Sequence, residues 1–291
     1  MTELSTYALE SLREDAEVVL YRGRREADPR HILIVAPLSQ QPAQGTLRRL
    51  ENEYALRAEL DPAWSILPLA LVRDKGRTVL VLEDPGGEPL DRPLERQLEL
   101  TRFLRTAIGL SAALGKLHER GIIHKDIKPA NVMVDPTSGQ VWLTGFGIAS
   151  DLPRERQAPE PSETIVGTLA YMAPEQTGRM NRSIDSRSDL YSLGVTLYEM
   201  LTGVLPFTAS DPNELVHCHI ARQPRTPAER RKEVPESLSA IVLKLLAKTP
   251  RSGTKPRPAW RLISGDAWWT GSPSDELTSF FLAHTMHRTG S

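Results

Sequence analysis

The chain has 291 residues, 40% of them hydrophobic and 25% charged, with a formal net charge of -1. That is enough apolar material for one large domain or two lobes with their own cores, and so balanced a charge gives no reason to expect nucleic acid or an anionic membrane as partner. A lone cysteine, Cys218, excludes an internal disulfide; with no apolar run long enough to span a bilayer and no leader-like N-terminus, the expected location is cytoplasmic.

Three short segments read as strands: 17–22 (EVVLYR), 31–36 (HILIVA) and 78–83 (TVLVLE), each rich in Val, Ile and Leu and bounded by charged or Gly/Pro positions. Between the second and third, TLRRLENEYALRAEL sets Leu47, Leu50, Tyr54 and Ala58 at helical spacing. Residues 1–85 therefore read as a small sheet carrying one helix. DPGGEPL then punctuates the chain like a hinge, and the patterns turn helical. Leu98, Phe103, Ala107, Leu110, Leu114 and Leu117 keep close to a 3.6 period up to Gly121, and 188–202, 212–221 and 237–247 repeat it. A strand-rich part (1–85) followed by a helix-rich part (86–249) predicts a two-lobed α+β architecture, with the ligand expected in a cleft between the lobes. From residue 250 the periodicity stops and Gly, Ser, Pro and Trp accumulate, so 250–291 reads as an aberrant tail.

HKDIKPANVMV brings Asp126, Lys128 and Asn131 into one short loop, and GTLAYMAPEQ and SDLYSLGVTLYEMLTG follow it. Their order and spacing resemble the protein kinase family over about residues 7–249. The resemblance implies a small β-rich N-lobe with one helix, a larger helical C-lobe, ATP and Mg²⁺ as cofactors, and a protein as substrate or signalling partner. Phosphoryl transfer asks a protein for positioning and charge more than for covalent chemistry. By resemblance, Asp126 accepts the proton of the attacking hydroxyl, Lys128 neutralises the transferred group, and Asn131 holds a Mg²⁺ ion. Lys128 together with Thr168 implies serine/threonine acceptors. Asp189 would brace the catalytic loop through its backbone, and Glu175 of the A-P-E segment would pair with an Arg later in the chain. Small-molecule phosphotransferases that share this core are disfavoured by the A-P-E segment and the helix after it.

Three departures from the family pattern concern the nucleotide. Gly145 stands before Phe146-Gly147, where the family carries a Mg²⁺-binding Asp. Val35 stands where a strand Lys reaches the phosphates, which leaves its partner on the following helix, matched by Glu53, without a cation. LESLREDAEVVLYRG replaces the glycine-rich cover, so the backbone cannot close over phosphates, and Glu14, Asp15 and Glu17 add like charge. Each lost electrostatic element costs about 10²–10³ in rate. Two together reduce a turnover of about 1–100 per second to about 10⁻⁶–10⁻² per second. The expectation is a pseudokinase-like signalling module with weak or lost ATP binding. The alternative is an active serine/threonine kinase with unusual ATP contacts, Arg22 or Arg24 supplying the missing cation. Lys125, in place of the usual Arg before the catalytic Asp, weakens any case for activation by capture of a phosphorylated segment.

More narrowly, LVLEDPGGEPLDRPL, GIIHKDIKPANVMV and ELVHCHIARQP resemble the N-terminal serine/threonine kinase module of bacterial fusions that also carry ATPase, sensor and histidine kinase parts. In that family the segment after LLAKT continues as E-x-R-Y-Q-S-A and later G-L-x-x-D-L. Taking the last base of each codon with the first two of the next, from the Pro250/Arg251 junction, allowed codons spell Glu-Glu-Arg-Tyr-Gln and later Gly-Leu-Ala-Ala-Asp-Leu. The expectation is a single-nucleotide slip near codon 250 that truncates the domain; a stop codon in the alternative frame within the tail would exclude it. His217, Cys218 and His219 are adjacent on a helical pattern and point in different directions, which reads as an ordinary helix rather than a metal site.

Overall fold

The structure is a computed structural model and describes residues 4–25, 28–92, 98–151, 169–180 and 183–248. Thr168 and the tail from residue 250 lie outside the described residues. In chain order the strands and first helices are β1 (Ala8–Glu14), β2 (Val18–Arg25), β3 (Asp28–Pro37), α1 (Gln44–Ala55), β4 (Pro68–Asp74), β5 (Arg77–Glu83), β6 (Glu88–Pro89) and α2 (Leu100–Glu119). There follow β7 (Ile122–Ile123), β8 (Val132–Val134), β9 (Val141–Leu143), β10 (Ser150–Asp151), α3 (Ser186–Thr202), α4 (Pro212–Ala221), α5 (Pro227–Arg230) and α6 (Glu236–Leu245). The described residues form two compact units, those within Met1–Arg92 and Pro129–Ala149 and those within Pro93–Lys128 and Ser150–Ser291. The α+β class expected from the sequence is the class of the structure.

In the first unit a five-stranded antiparallel sheet has the order β1-β2-β3-β5-β4. The inner strands β2, β3 and β5 are those that the apolar runs at 17–22, 31–36 and 78–83 marked. β1 and β4 were not marked, because their exposed and half-buried positions do not alternate. α1 puts Leu50 into a core of Leu12, Leu20, Leu33, Ile66, Leu80, Leu82 and Met133. Burying apolar surface of this kind is worth about 1.5–3 kcal/mol per large side chain, and this face holds α1 on the sheet. The small sheet β6-β8-β9 follows directly on Asn131 and fixes the chain on either side of the 135–140 turn.

The second unit is built on α2 and α3. Glu99 caps α2, its carboxylate accepting from the Thr101 and Arg102 amides at 3.0 and 3.2 Å. α3 is buried on nearly every face, as a helix at the centre of a helical unit must be. Gly194 lets α6 approach: a Cβ there would lie 2.8 Å from the Leu245 Cβ. The helices read at 188–202, 212–221 and 237–247 are all present, with ends within two residues of those expected. Among the described residues no helix is long and apolar enough to cross a membrane.

Candidate active site

In the second unit the loop that carries Asp126 is organised from below by Asp189. This carboxylate sits in the first turn of α3 at 0% exposure. One oxygen accepts from the His124 amide at 2.9 Å and from His118 Nε2 at 2.8 Å, and the other accepts from the Lys125 amide at 2.7 Å. Lys125 has a left-handed backbone, φ +67°, a conformation that costs a side-chain-bearing residue about 1–2 kcal/mol. It is held there from both sides, because Gln176 Nε2 donates to the Lys125 carbonyl at 2.8 Å. The consequence is a fixed exit for Asp126, whose carboxylate lies 2.8 Å from Lys128 Nζ. Glu175 accepts from Ser188 Oγ at 2.6 Å, next to Asp189 on α3.

In the first unit Asn131, Glu53, Gly145 and Val35 have a different logic. Val35 pairs across the sheet with Leu20 and Leu80 and packs on the apolar core. Glu53 is buried on α1, and its carboxylate accepts from the Gly145 amide at 2.9 Å. Burial pushes the Glu53 carboxyl above the usual carboxylate range, opposed by the amides of Gly145 and Phe146 and by the charge of Arg13. Gly145 is itself left-handed, φ +79°, and a Cβ there would come within 2.6 Å of the Asn131 carboxamide. The space a side chain would need at 145 is therefore already taken by Asn131. Gly145→Ala is expected to lower stability by about 1–3 kcal/mol, read from urea unfolding; an unchanged midpoint would show that Asn131 gives way freely.

The β1–β2 turn explains what replaces a glycine-rich cover. Asp15 Oδ1 accepts from the amides of Glu17 and Val18, both at 2.9 Å, and the Asp15 amide donates to the Val18 carbonyl at 3.0 Å. Two of the amides that such a turn could offer to an anion are consumed by its own carboxylate. Glu17 is tied to α1 through Thr46 Oγ1 at 3.0 Å and through the Arg49 guanidinium.

Of the cations weighed from sequence, Arg22 is bound bidentately to buried Asp84, at 2.6 and 3.1 Å, and to the Gly87 carbonyl. Arg24 pairs with Glu10 at the surface. The cation whose charge acts on Glu53 is Arg13, from β1. Sequence reasoning passed over it, as it did His118 and Gln176, because each acts through a chain approach that no local pattern encodes. His217, Cys218 and His219 lie on α4, and among the described residues no group of three or more His, Cys, Asp or Glu is placed to hold a metal.

Comparison with known proteins agrees with the order of these elements. The protein kinase domain family matches residues 31–269. The chain is similar to the serine/threonine-protein kinase PknB of Mycobacterium tuberculosis, 41% identical over 140 residues, covering 48% of this chain and 22% of that protein. It is also similar to the DNA damage-responsive serine/threonine-protein kinase RqkA of Deinococcus radiodurans, 34% identical over 212 residues, 70% of this chain and 31% of that protein. The matched part of the chain thus spans less than a third of the length of these relatives.

Proposed function

The chain belongs to the protein kinase family, and from that premise we propose that it is a serine/threonine kinase-like signalling module impaired in handling Mg·ATP. The observation that carries this reading is the bond from the Gly145 amide to Glu53, with an apolar Val35 where a cation would stand. A carboxylate that a nucleotide-binding kinase aims at a cation is here turned to backbone amides.

The two functional parts differ in what they retain. The phosphoryl-accepting part is complete in kind: Asp126 to take the hydroxyl proton, Lys128 beside it to offset charge on the transferred group, and Asp189 to position both. The metal part is not. Mg²⁺ asks for oxygen donors in near-octahedral array, chiefly carboxylates, water and phosphate. The first unit offers the neutral Asn131 amide, packed against a residue with no side chain. The residues there do not fit the ion. The length of the similar kinases supports reading the chain as one module of a larger signalling protein, with a protein partner on the cytoplasmic side of the cell.

The test is phosphate transfer from labelled ATP to an acceptor protein, run with wild type and Asp126→Ala at several Mg²⁺ concentrations. Incorporation is expected to be indistinguishable in the two, and Mg²⁺ to change ATP affinity by less than about threefold. Turnover near about 1 per second that Asp126→Ala abolishes would replace this reading with the active kinase of unusual ATP contacts.

A further inference from the structure

Arg13 has donor capacity that the fold does not use. Its guanidinium carries five N–H groups. One hydrogen bond is in place, from Nη1 to the Ala130 carbonyl, and Nη2 lies 3.7 Å from Asp15 Oδ2. Nε is buried and has no hydrogen-bond partner. The side chain is 16% exposed, so the charge is largely withdrawn from water. A buried guanidinium N–H left without an acceptor is costly unless a further acceptor arrives.

The neighbours show which acceptor is missing. Arg22, Arg24 and Arg49 are engaged by Asp84, Glu10 and Glu17, and Arg92 donates to the carbonyls of Leu12 and Ser11. The Glu17 and Val18 amides of the β1–β2 turn are bound to Asp15. An anion reaching this part of the unit can be met by the Arg13 fork, and the fork matches phosphate geometry. Ala130, to which Arg13 donates, immediately precedes Asn131, so the cation stands at the stretch of backbone that carries the amide.

We propose that Arg13 is the cation of the first unit that contacts phosphate, and that it holds a nucleoside triphosphate without a metal ion. The proposal rests on the reading that Mg²⁺ handling is lost, and deepens it: the charge missing at 35 has moved to β1, and the site takes the free nucleotide.

The experiment is titration of ATP and of adenosine, both in excess EDTA, into the full chain and its Arg13→Gln and Arg13→Lys variants, each checked for a cooperative melt. Wild type is expected to bind ATP at least about tenfold more tightly than adenosine. Arg13→Gln should weaken ATP about tenfold to hundredfold and leave adenosine within about twofold. Arg13→Lys should fall between, since a point charge lacks the fork. ATP bound by Arg13→Gln as tightly as by wild type, or more tightly, overturns the proposal, because Arg13 would then fill the site rather than serve it. Equal affinity of wild type for adenosine and ATP overturns it without recourse to any variant. Failure of wild type to bind ATP also overturns it and leaves the impaired module standing. When the wild-type titration is repeated with Mg²⁺ in place of EDTA, a gain of about a hundredfold or more overturns the proposal together with the impaired module, because the proposed site takes the free nucleotide.

Discussion

Asp189→Ala is expected to lower the unfolding free energy by about 3–5 kcal/mol, the loss typical of breaking a buried charged network from one side. Three donors converge on this carboxylate, the amides of His124 and Lys125 and the ring of His118, and the substitution leaves them buried with no acceptor. The loss has a second part. The left-handed Lys125 backbone is held by Asp189 on one side and Gln176 on the other. With one hold removed, the strain of about 1–2 kcal/mol is free to relax, and Asp126 loses its fixed direction. Asp189→Asn separates the two parts: it keeps the shape and one acceptor but turns an NH₂ toward a donor, for an expected loss of about 1–3 kcal/mol. Urea unfolding of the three proteins checks this order. A loss below about 1 kcal/mol for Asp189→Ala would mean that the loop is organised by something else.

The second large effect is on acid stability. His219 is buried on α4, with Nδ1 sharing a 2.8 Å hydrogen bond with the Tyr191 hydroxyl, the Phe207 ring edge-on at 5.3 Å, and Nε2 without a hydrogen-bond partner. Burial holds its pKa down to about 4 from 6.5; the charge of Lys248 adds to the shift, and the Leu169 backbone opposes it. Lys248 is itself lowered to about 8 by burial and is protonated in both states throughout the acid range. The direction follows from which state binds protons. Between pH 6.5 and 4 the unfolded chain protonates this histidine and the folded chain does not, so stability is full above 6.5 and falls as the pH drops toward 4. The loss by pH 4 is about 3 kcal/mol. Carboxylates titrate in part of the same window, so the measurement is a comparison: the stability gap between wild type and His219→Gln, followed from pH 7.5 to 4, is expected to shift by that amount against wild type. A gap constant to within about 0.5 kcal/mol would mean that His219 takes its proton without hindrance.

How much of this was legible in the sequence depends on whether a feature is local. Helices α2, α3, α4 and α6 were legible because each buries a stripe or, in α3, nearly all of its surface, whereas the four-residue α5 is too short to show a period. The inner strands β2, β3 and β5 were legible as apolar runs. β1 was not: it exposes most of its side chains, and it is a strand because β2 pairs with it. Asp126, Lys128 and Asn131 stood out as a spaced group, and so did the absence of a side chain at 145. What the spacing could not say is that Asn131 occupies the volume beside Gly145, or that Glu53 turns to backbone amides instead of standing unsatisfied. The acidic turn looked repulsive in sequence. In the structure Asp15 closes it from inside and Glu17 is neutralised by Arg49, so its effect is to withhold amide donors. The missing cation was sought on β2, where Arg22 and Arg24 are conspicuous; these two are committed to Asp84 and Glu10. Arg13 carried no signal, since its relation to Glu53 and Ala130 exists only once the sheet and the 129–149 segment have come together.

The measurement that bears most directly on the central claim is calorimetric titration of ATP into the folded chain with and without Mg²⁺. The account predicts affinities within about threefold of each other, because Gly145 offers the ion nothing and Asn131 alone is one neutral donor. Binding that Mg²⁺ strengthens by about a hundredfold or more would contradict it, and would make this chain a metal-dependent kinase that has rebuilt its nucleotide site from other residues.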